Sequence, residues 1–228
     1  MLPKRLSRML TLIAALCVSQ APPRQQPSVE SVIPARPVTP RKRRRGYPQR
    51  VLRPYDPGTP LVLSFDRAPV QWRGADATFE LEPGVPSRTV WPRESTPWLV
   101  RDLNHDGKID SGRELFGSNT LLPDGSRARN GFEALAALDD GDGVLDARDA
   151  VFADLMLWRD ADGDRRVGPG ELTPLSEAKV KRIELRYADR PRCEPGGGCE
   201  RERARFFFDS PEREGAVIDL HLLPVPGS

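Results

Sequence analysis

The sequence predicts an α+β domain, and three observations predict it. A middle region alternates Asp- and Gly-rich loops with short apolar stretches at helical spacing. Short β-type runs precede that region, and three longer apolar runs separated by turn residues follow it as an antiparallel meander. At 228 residues the chain has room for a domain plus a tail. Its 24 prolines and 30% charged residues describe a modest core with much irregular backbone. The formal charge of +2 hides a split. Residues 1–58 hold 12 Lys and Arg against two acids, whereas the remainder holds 23 basic residues against 31 acidic ones. An acidic body behind a basic tail suits a cation better than a nucleic acid.

The tail comes first. Lys4, Arg5 and Arg8 precede the apolar run 9–18, which is the pattern of an export signal and too short to cross a bilayer comfortably. We place the signal peptide at 1–19, with Cys17 as an alternative point of lipid attachment. Residues 20–58 are rich in Pro, Gln, Ser and Arg and offer too little apolar surface to fold, so they read as a linker. Its basic run, Arg41 to Arg45, reads as a solvated tether or processing site; contact with an anionic polymer is the alternative. No motif for specific nucleic-acid binding accompanies it, and no later run reaches transmembrane length.

The folded domain is expected over 59–228. Leu61 to Phe65 is a buried-type strand between Pro60 and Asp66, and Gln71-Trp72 and Ala77 to Leu81 are further short strands. Trp72, Trp91 and Trp98 read as core or rim packing. Gly112 to Gly117 allows at most one helical turn. Asn130 caps a helix over 131–138 with Phe132, Leu135 and Leu138 on one face. Asp146 or Asp149 opens a second helix carrying Val151, Leu155 and Trp158, and it runs directly into Asp160. Leu172 to Ala178 reads as a turn. The meander strands are 182–187, 203–208 and 216–222. Cys193 and Cys199 flank a Gly-rich turn between the first two, which predicts a disulfide across a hairpin.

The loops carry the chemistry. In 160–171, Asp160, Asp162, Asp164, the Arg166 carbonyl and Glu171 occupy positions 1, 3, 5, 7 and 12 of a calcium loop. Arg165 stands where glycine is usual, and a left-handed non-glycine residue costs about 1–2 kcal/mol. In 102–114, Asp102, Asn104, Asp106 and the Lys108 carbonyl follow the same spacing, with Gly107 in place. Position 12 is Arg113, so either the loop bends to bring in Glu114, or Asp110 and water complete the shell. The middle loop, 139–149, lacks one residue. Asp139, Asp140, Asp142, the Val144 carbonyl, Asp146 and Asp149 are its candidate ligands, out of normal register. The plainer alternative for all three loops is a set of Asx-turns holding no metal. The number of carboxylates and their flexible spacing favour Ca²⁺ over Mg²⁺.

The runs 103–117, 130–139 and 160–164 resemble the EF-hand-like calcium-binding module of exported bacterial proteins, found alone in secreted proteins and lipoproteins and attached to haemolysin-type repeat proteins. Its loops are similar to those of dockerins. The resemblance implies calcium at Asp102, Asn104, Asp106, Asp110, Asp160, Asp162, Asp164 and Glu171, and it implies export. It names no enzyme activity. Ser64 to Pro69 stands where such modules often carry a further Asp-Gly loop, so no site is expected there.

No nucleophile motif, zinc-protease motif, phosphate loop or dinucleotide fingerprint is present, and the best-spaced acids are committed to the loops. The expectation is therefore an exported, monomeric, calcium-stabilised module with no catalytic residues, serving a structural or binding role toward an unknown protein or cell-surface polymer. The alternatives are an Arg-rich tethered surface protein that binds an anionic polymer and, behind it, a calcium-dependent hydrolase.

Overall fold

Strand β1, Leu61–Ser64, is buried over its whole length because apolar layers cover both faces of the sheet it centres. A computed structural model describes residues 58–196, 198–210 and 213–225. Its main sheet is antiparallel. β1 pairs with β13, Glu214–Leu222, on one side (Leu61 opposite Asp219) and with β6, Trp98–Val100, on the other. Beyond β6 lie β8, Met156–Trp158, and β9, Leu172–Pro174. Beyond β13 lies β12, Gly198–Phe208, which pairs along its far edge with β10, Val180–Glu184, and with β11, Ala188–Cys193. The outermost strand is β7, Val144–Asp146, paired with β10. The short pairs β2–β5 (Trp72–Arg73, Trp91–Pro92) and β3–β4 (Phe79–Glu82, Val85–Ser87) make two small sheets.

Alternation along the central strands separates two cores. Leu61, Leu63, Leu99, Leu157 and Val217 pack with Phe132, Leu135, Val151 and Phe152. Val62, Trp98, Val100, Trp158 and Ile218 pack with Phe79, Leu81 and Trp91. Each fully buried side chain of this size contributes about 1.5–3 kcal/mol. The helix, α1, is Gly131–Ala136, and its cap is the expected one: the Asn130 side chain accepts from the Glu133 N–H. Gly131 donates to the buried Asp219 carboxylate at 2.6 Å. A side chain at residue 131 would run into Leu61 and the Phe116 carbonyl, so the helix sits this close to β1 because the residue is glycine.

The α+β expectation is overturned. Among the described residues α1 is the one α-helix, and the architecture is nearly all β. The helix expected from Asp146 or Asp149 to Trp158 is a 3₁₀ turn, Ala150–Asp154, followed by strand β8. Leu155 adopts extended backbone (φ −74°, ψ 135°), and Met156 to Trp158 then pairs with β6 and β9 on its two edges. An apolar run that fits helical spacing fits a two-sided strand equally well, and the neighbouring strands decide the outcome. Likewise Leu172–Pro174 is strand rather than turn. Among the described residues no pair of helices flanks the Asp-rich loops: strands carry the first and last of them.

The C-terminal strands pair antiparallel, but a strand was missed and the connection differs. The cysteine turn joins β11, not β10, to β12, and Cys193 and Cys199 form a disulfide across it. Phe206 to Phe208 lie in the core, as do Trp91 and Trp98, while Trp72 is partly buried at the rim. The expected signal peptide, Cys17, nearly all of the 20–58 linker and the Arg41 to Arg45 run lie outside the described residues. Among the described residues no helix is long and apolar enough to cross a membrane.

Candidate metal-binding loops

Each of the two full-length loops is the tip of an antiparallel ribbon. The first leaves β6 and returns through a bridge between Val100 and Leu115, and the last leaves β8 and returns as β9. The two are closed by the same hydrogen bond. The N–H of Arg101, just before the loop, donates to the Glu114 carbonyl, and the N–H of Arg159 donates to the Glu171 carbonyl, both at 2.9 Å. The Glu side chains turn inward and grip the loop from within. Glu114 accepts from the N–H groups of Leu103 (3.3 Å) and Asp110 (3.0 Å), and Glu171 accepts from those of Ala161 (2.7 Å) and Gly168 (2.9 Å). In both loops these are the second and ninth residues. Glu114 at position 13 therefore does what Glu171 does at position 12; the first loop bends to bring it in.

The earlier acids agree as closely. Asp102 and Asp160 each accept from the N–H of the sixth residue, Gly107 at 2.8 Å and Arg165 at 3.2 Å. Asn104 and Asp162 accept from the fifth residue, and Asp106 and Asp164 from the seventh, Lys108 and Arg166. These bonds need two left-handed residues per loop, two apart: His105 and Gly107 in the first, Gly163 and Arg165 in the last. The glycine and non-glycine positions are exchanged between loops, which is why Arg165 can stand where glycine was expected. The residue after each pair's partner, Ile109 or Val167, packs into the same apolar cluster and ties the loop to the body. His105 is exposed.

Carboxylate oxygens of Asp160, Asp162 and Asp164 lie within 4.8 Å of one another, and those of Asp139, Asp140 and Asp142 do the same. Burial holds Asp160 above the ordinary carboxylate range, and the neighbouring Glu171 and Asp162 charges add to it. Burial likewise raises Glu114, with Asp110 contributing. Asp110 itself is exposed, and its side chain takes no part in the hydrogen bonds that close the first loop.

The middle loop is a shortened copy with a counter-ion of its own. Asp149 plays the closing role, accepting from the second residue, Asp140, and from Asp146, each at 2.8 Å. Gly141 and Gly143 are its left-handed pair. Asp139 accepts from Gly143, and Asp142 accepts from Val144, which lies in β7 opposite Glu184. The Arg148 guanidinium bonds the carboxylates of both Asp142 and Asp146. No basic side chain pairs with the candidate ligand acids of the other two loops among the described residues, since Arg165 points elsewhere: it is buried, and it donates to the carbonyls of Ala77, Gly74 and Thr89.

Sequence reasoning missed the closing role of Asp149 and the pairing of Arg148 with Asp142 and Asp146. The Asp-Ala-Arg-Asp run could have signalled both, since it sets a cation between two acids. It also missed the buried Glu202–His221 pair, 2.9 Å apart on β12 and β13, which shows no spacing signal in the chain.

A family model described as the SPM domain matches residues 61–222. The chain is also similar to the iron-regulated protein FrpA of Neisseria meningitidis serogroup C, 44% identical over 107 residues, or 46% of this chain and 10% of that protein. It thus spans about a tenth of that relative's length. No EF-hand or dockerin family model matches, and the resemblance drawn from the loops is corrected. Oxygen spacing of this kind can be presented by a β-ribbon as well as by a helix pair, so the loops do not identify the framework that carries them.

Proposed function

The chain belongs to the SPM domain family, and on that premise we propose that it is an exported module whose Asp-rich loops bind Ca²⁺, acting outside the cell in a structural or binding role without catalysis of its own. One observation carries this reading: two loops of different length arrive at the same arrangement of backbone bonds, each with a buried Glu drawn inward. In the last loop Asp160, Asp162, Asp164, the Arg166 carbonyl and Glu171 would hold the ion. In the first, Asp102, Asn104, Asp106, the Lys108 carbonyl and Glu114 would do so. A carboxylate oxygen that accepts one N–H keeps a second lone pair, so these bonds orient the ligands without consuming them. Oxygen donors without nitrogen or sulfur suit a hard cation, and several carboxylates in a flexible loop suit the larger Ca²⁺.

Export is supported by the charged-then-apolar start of the chain and by the Cys193–Cys199 disulfide, since such bonds persist in oxidising compartments. Calorimetric titration of the chelator-treated full-length protein with CaCl₂ tests the metal assignment. Binding at two strong sites that survives a large excess of Mg²⁺ supports it, and absence of heat with unchanged spectra rejects it.

A further inference from the structure

We propose that a cleft between the β10–β11 bend and β12 binds an anionic polysaccharide through its arginines. The cleft has a volume of about 640 Å³, and its charged lining is Arg67, Arg186, Arg190, Arg203, Arg205 and Glu184. Three of these arginines are held by acids: Arg67 by Glu214 at 2.5 Å, Arg203 by Glu200 at 2.8 Å, and Arg205 by Glu184 at 2.9 Å. Those pairs fix the walls. Arg186 and Arg190 are exposed and have no acidic partner among the described residues. Two unengaged guanidinium groups on a body with more acidic than basic residues reverse its field locally, and a cleft concentrates that field. A guanidinium presents paired donors that match carboxylate and phosphate oxygens.

The remaining lining chooses among polyanions. Tyr187 is the aromatic side chain of the cleft; it stacks on Phe132 (centroids 4.9 Å, 26°) and its hydroxyl accepts from Asn130 at 3.1 Å. One ring held in this way offers its outer face to a sugar, whereas single-stranded nucleic acid is tracked by a succession of aromatic platforms. An acidic peptide adding as a strand would need the free edge of β11. That edge carries Pro191, which has no N–H, and its pairing with β12 already shifts register between Asp189 and Arg192. The shared chemistry is therefore a carboxylate or phosphate borne on a sugar chain.

The test uses the full chain at about 150 mM salt, where exposed charges act over about 8 Å. Fluorescent hyaluronan oligosaccharides supply carboxylates, and phosphorylated oligomannose supplies phosphates. The variant Arg186→Ser/Arg190→Ser removes the unengaged pair, and a second variant replaces Arg41 to Arg45 with Ser to remove the basic run. Tightest binding of one of the two glycans, weakened at least about tenfold by the cleft variant and little changed by the tail variant, is the expected result. An unchanged melting temperature shows that the cleft variant remains folded, because neither residue makes an ion pair among the described residues. Equal binding by the cleft variant, binding lost with the tail run alone, no binding of either glycan, or tighter binding of polyglutamate or single-stranded DNA would each overturn the proposal.

Discussion

The guanidinium of Arg165 lies 4.9 Å from the centre of the Trp91 ring, so the left-handed non-glycine residue of the last loop is also the one fastened to the core. The same guanidinium donates to the carbonyls of Thr89 (2.7 Å), Gly74 (3.3 Å) and Ala77. Loop geometry and core packing meet in one side chain.

Arg165→Gly would release backbone strain of about 1–2 kcal/mol. It would also remove three hydrogen bonds from a buried charged donor, each worth about 1.5–3 kcal/mol. The bonds win. The expected outcome is a protein destabilised by about 2 kcal/mol or more, read from the urea midpoint, although glycine is the usual residue at that position of a calcium loop.

Glu114 and Glu171 should be interchangeable in consequence. Glu114→Gln and Glu171→Gln each keep the shape but remove a negative charge from one loop. Each is expected to weaken one calcium site by about tenfold or more, equivalent to about 1.4 kcal/mol, and to leave the other site unchanged. Calorimetry on the two variants checks this. If Glu114→Gln binds like the unaltered protein while Asp110→Asn does not, the acid at position 13 is not a ligand.

Arg148 is expected to suppress metal binding in the middle loop, because its guanidinium already bonds Asp142 and Asp146. Arg148→Ala should add a calcium site or tighten a weak one, seen as an extra step in the titration. An unchanged stoichiometry and affinity would show that the missing residue, not the neighbouring guanidinium, disables this loop.

Strands β1, β12 and β13 were legible because apolar runs bounded by turn residues have few other solutions, and the α1 cap was legible because Asn130 and Glu133 carry it locally. Spacing singled out the side chains that accept the backbone hydrogen bonds within the loops. What was not legible depends on neighbours distant in sequence. Met156 to Trp158 is a strand because β6 and β9 flank it. Similarly, Glu114 enters the first loop because Val100 and Leu115 bridge, placing the residue between them and the loop against Arg101. Arg165 is tolerated because the carbonyls of Gly74, Ala77 and Thr89, far away in sequence, surround its guanidinium. An expectation of flanking helices followed from reading loop spacing as a property of the whole framework.

Glu202 gives an acid-limb prediction. Its burial works to raise its pKa, but the hydrogen bond and charge of His221 outweigh burial and hold it below the ordinary 4.5. A carboxyl depressed in the folded state contributes stability that is fully present above its unfolded pKa and is lost as pH falls through the folded one. Glu202→Gln should therefore lower stability at neutral pH and flatten the decline below about pH 4.5. Asp160 has the opposite sign: raised in the metal-free fold, it makes that form lose stability as pH rises from 3.8 through its folded value. Stability followed from pH 3 to 7 with and without calcium separates the two.

The most direct measurement is the thermal unfolding of the full-length protein in CaCl₂ and in EGTA, followed by near-ultraviolet circular dichroism from the buried Trp91, Trp98 and Trp158. Ligand present at about 100 times its dissociation constant adds about 2.7 kcal/mol per site. Two filled loops should raise the melting temperature by several degrees or more, with the midpoint climbing as calcium is added and falling back with chelator. Superimposable melting curves and spectra in CaCl₂ and EGTA would contradict the account.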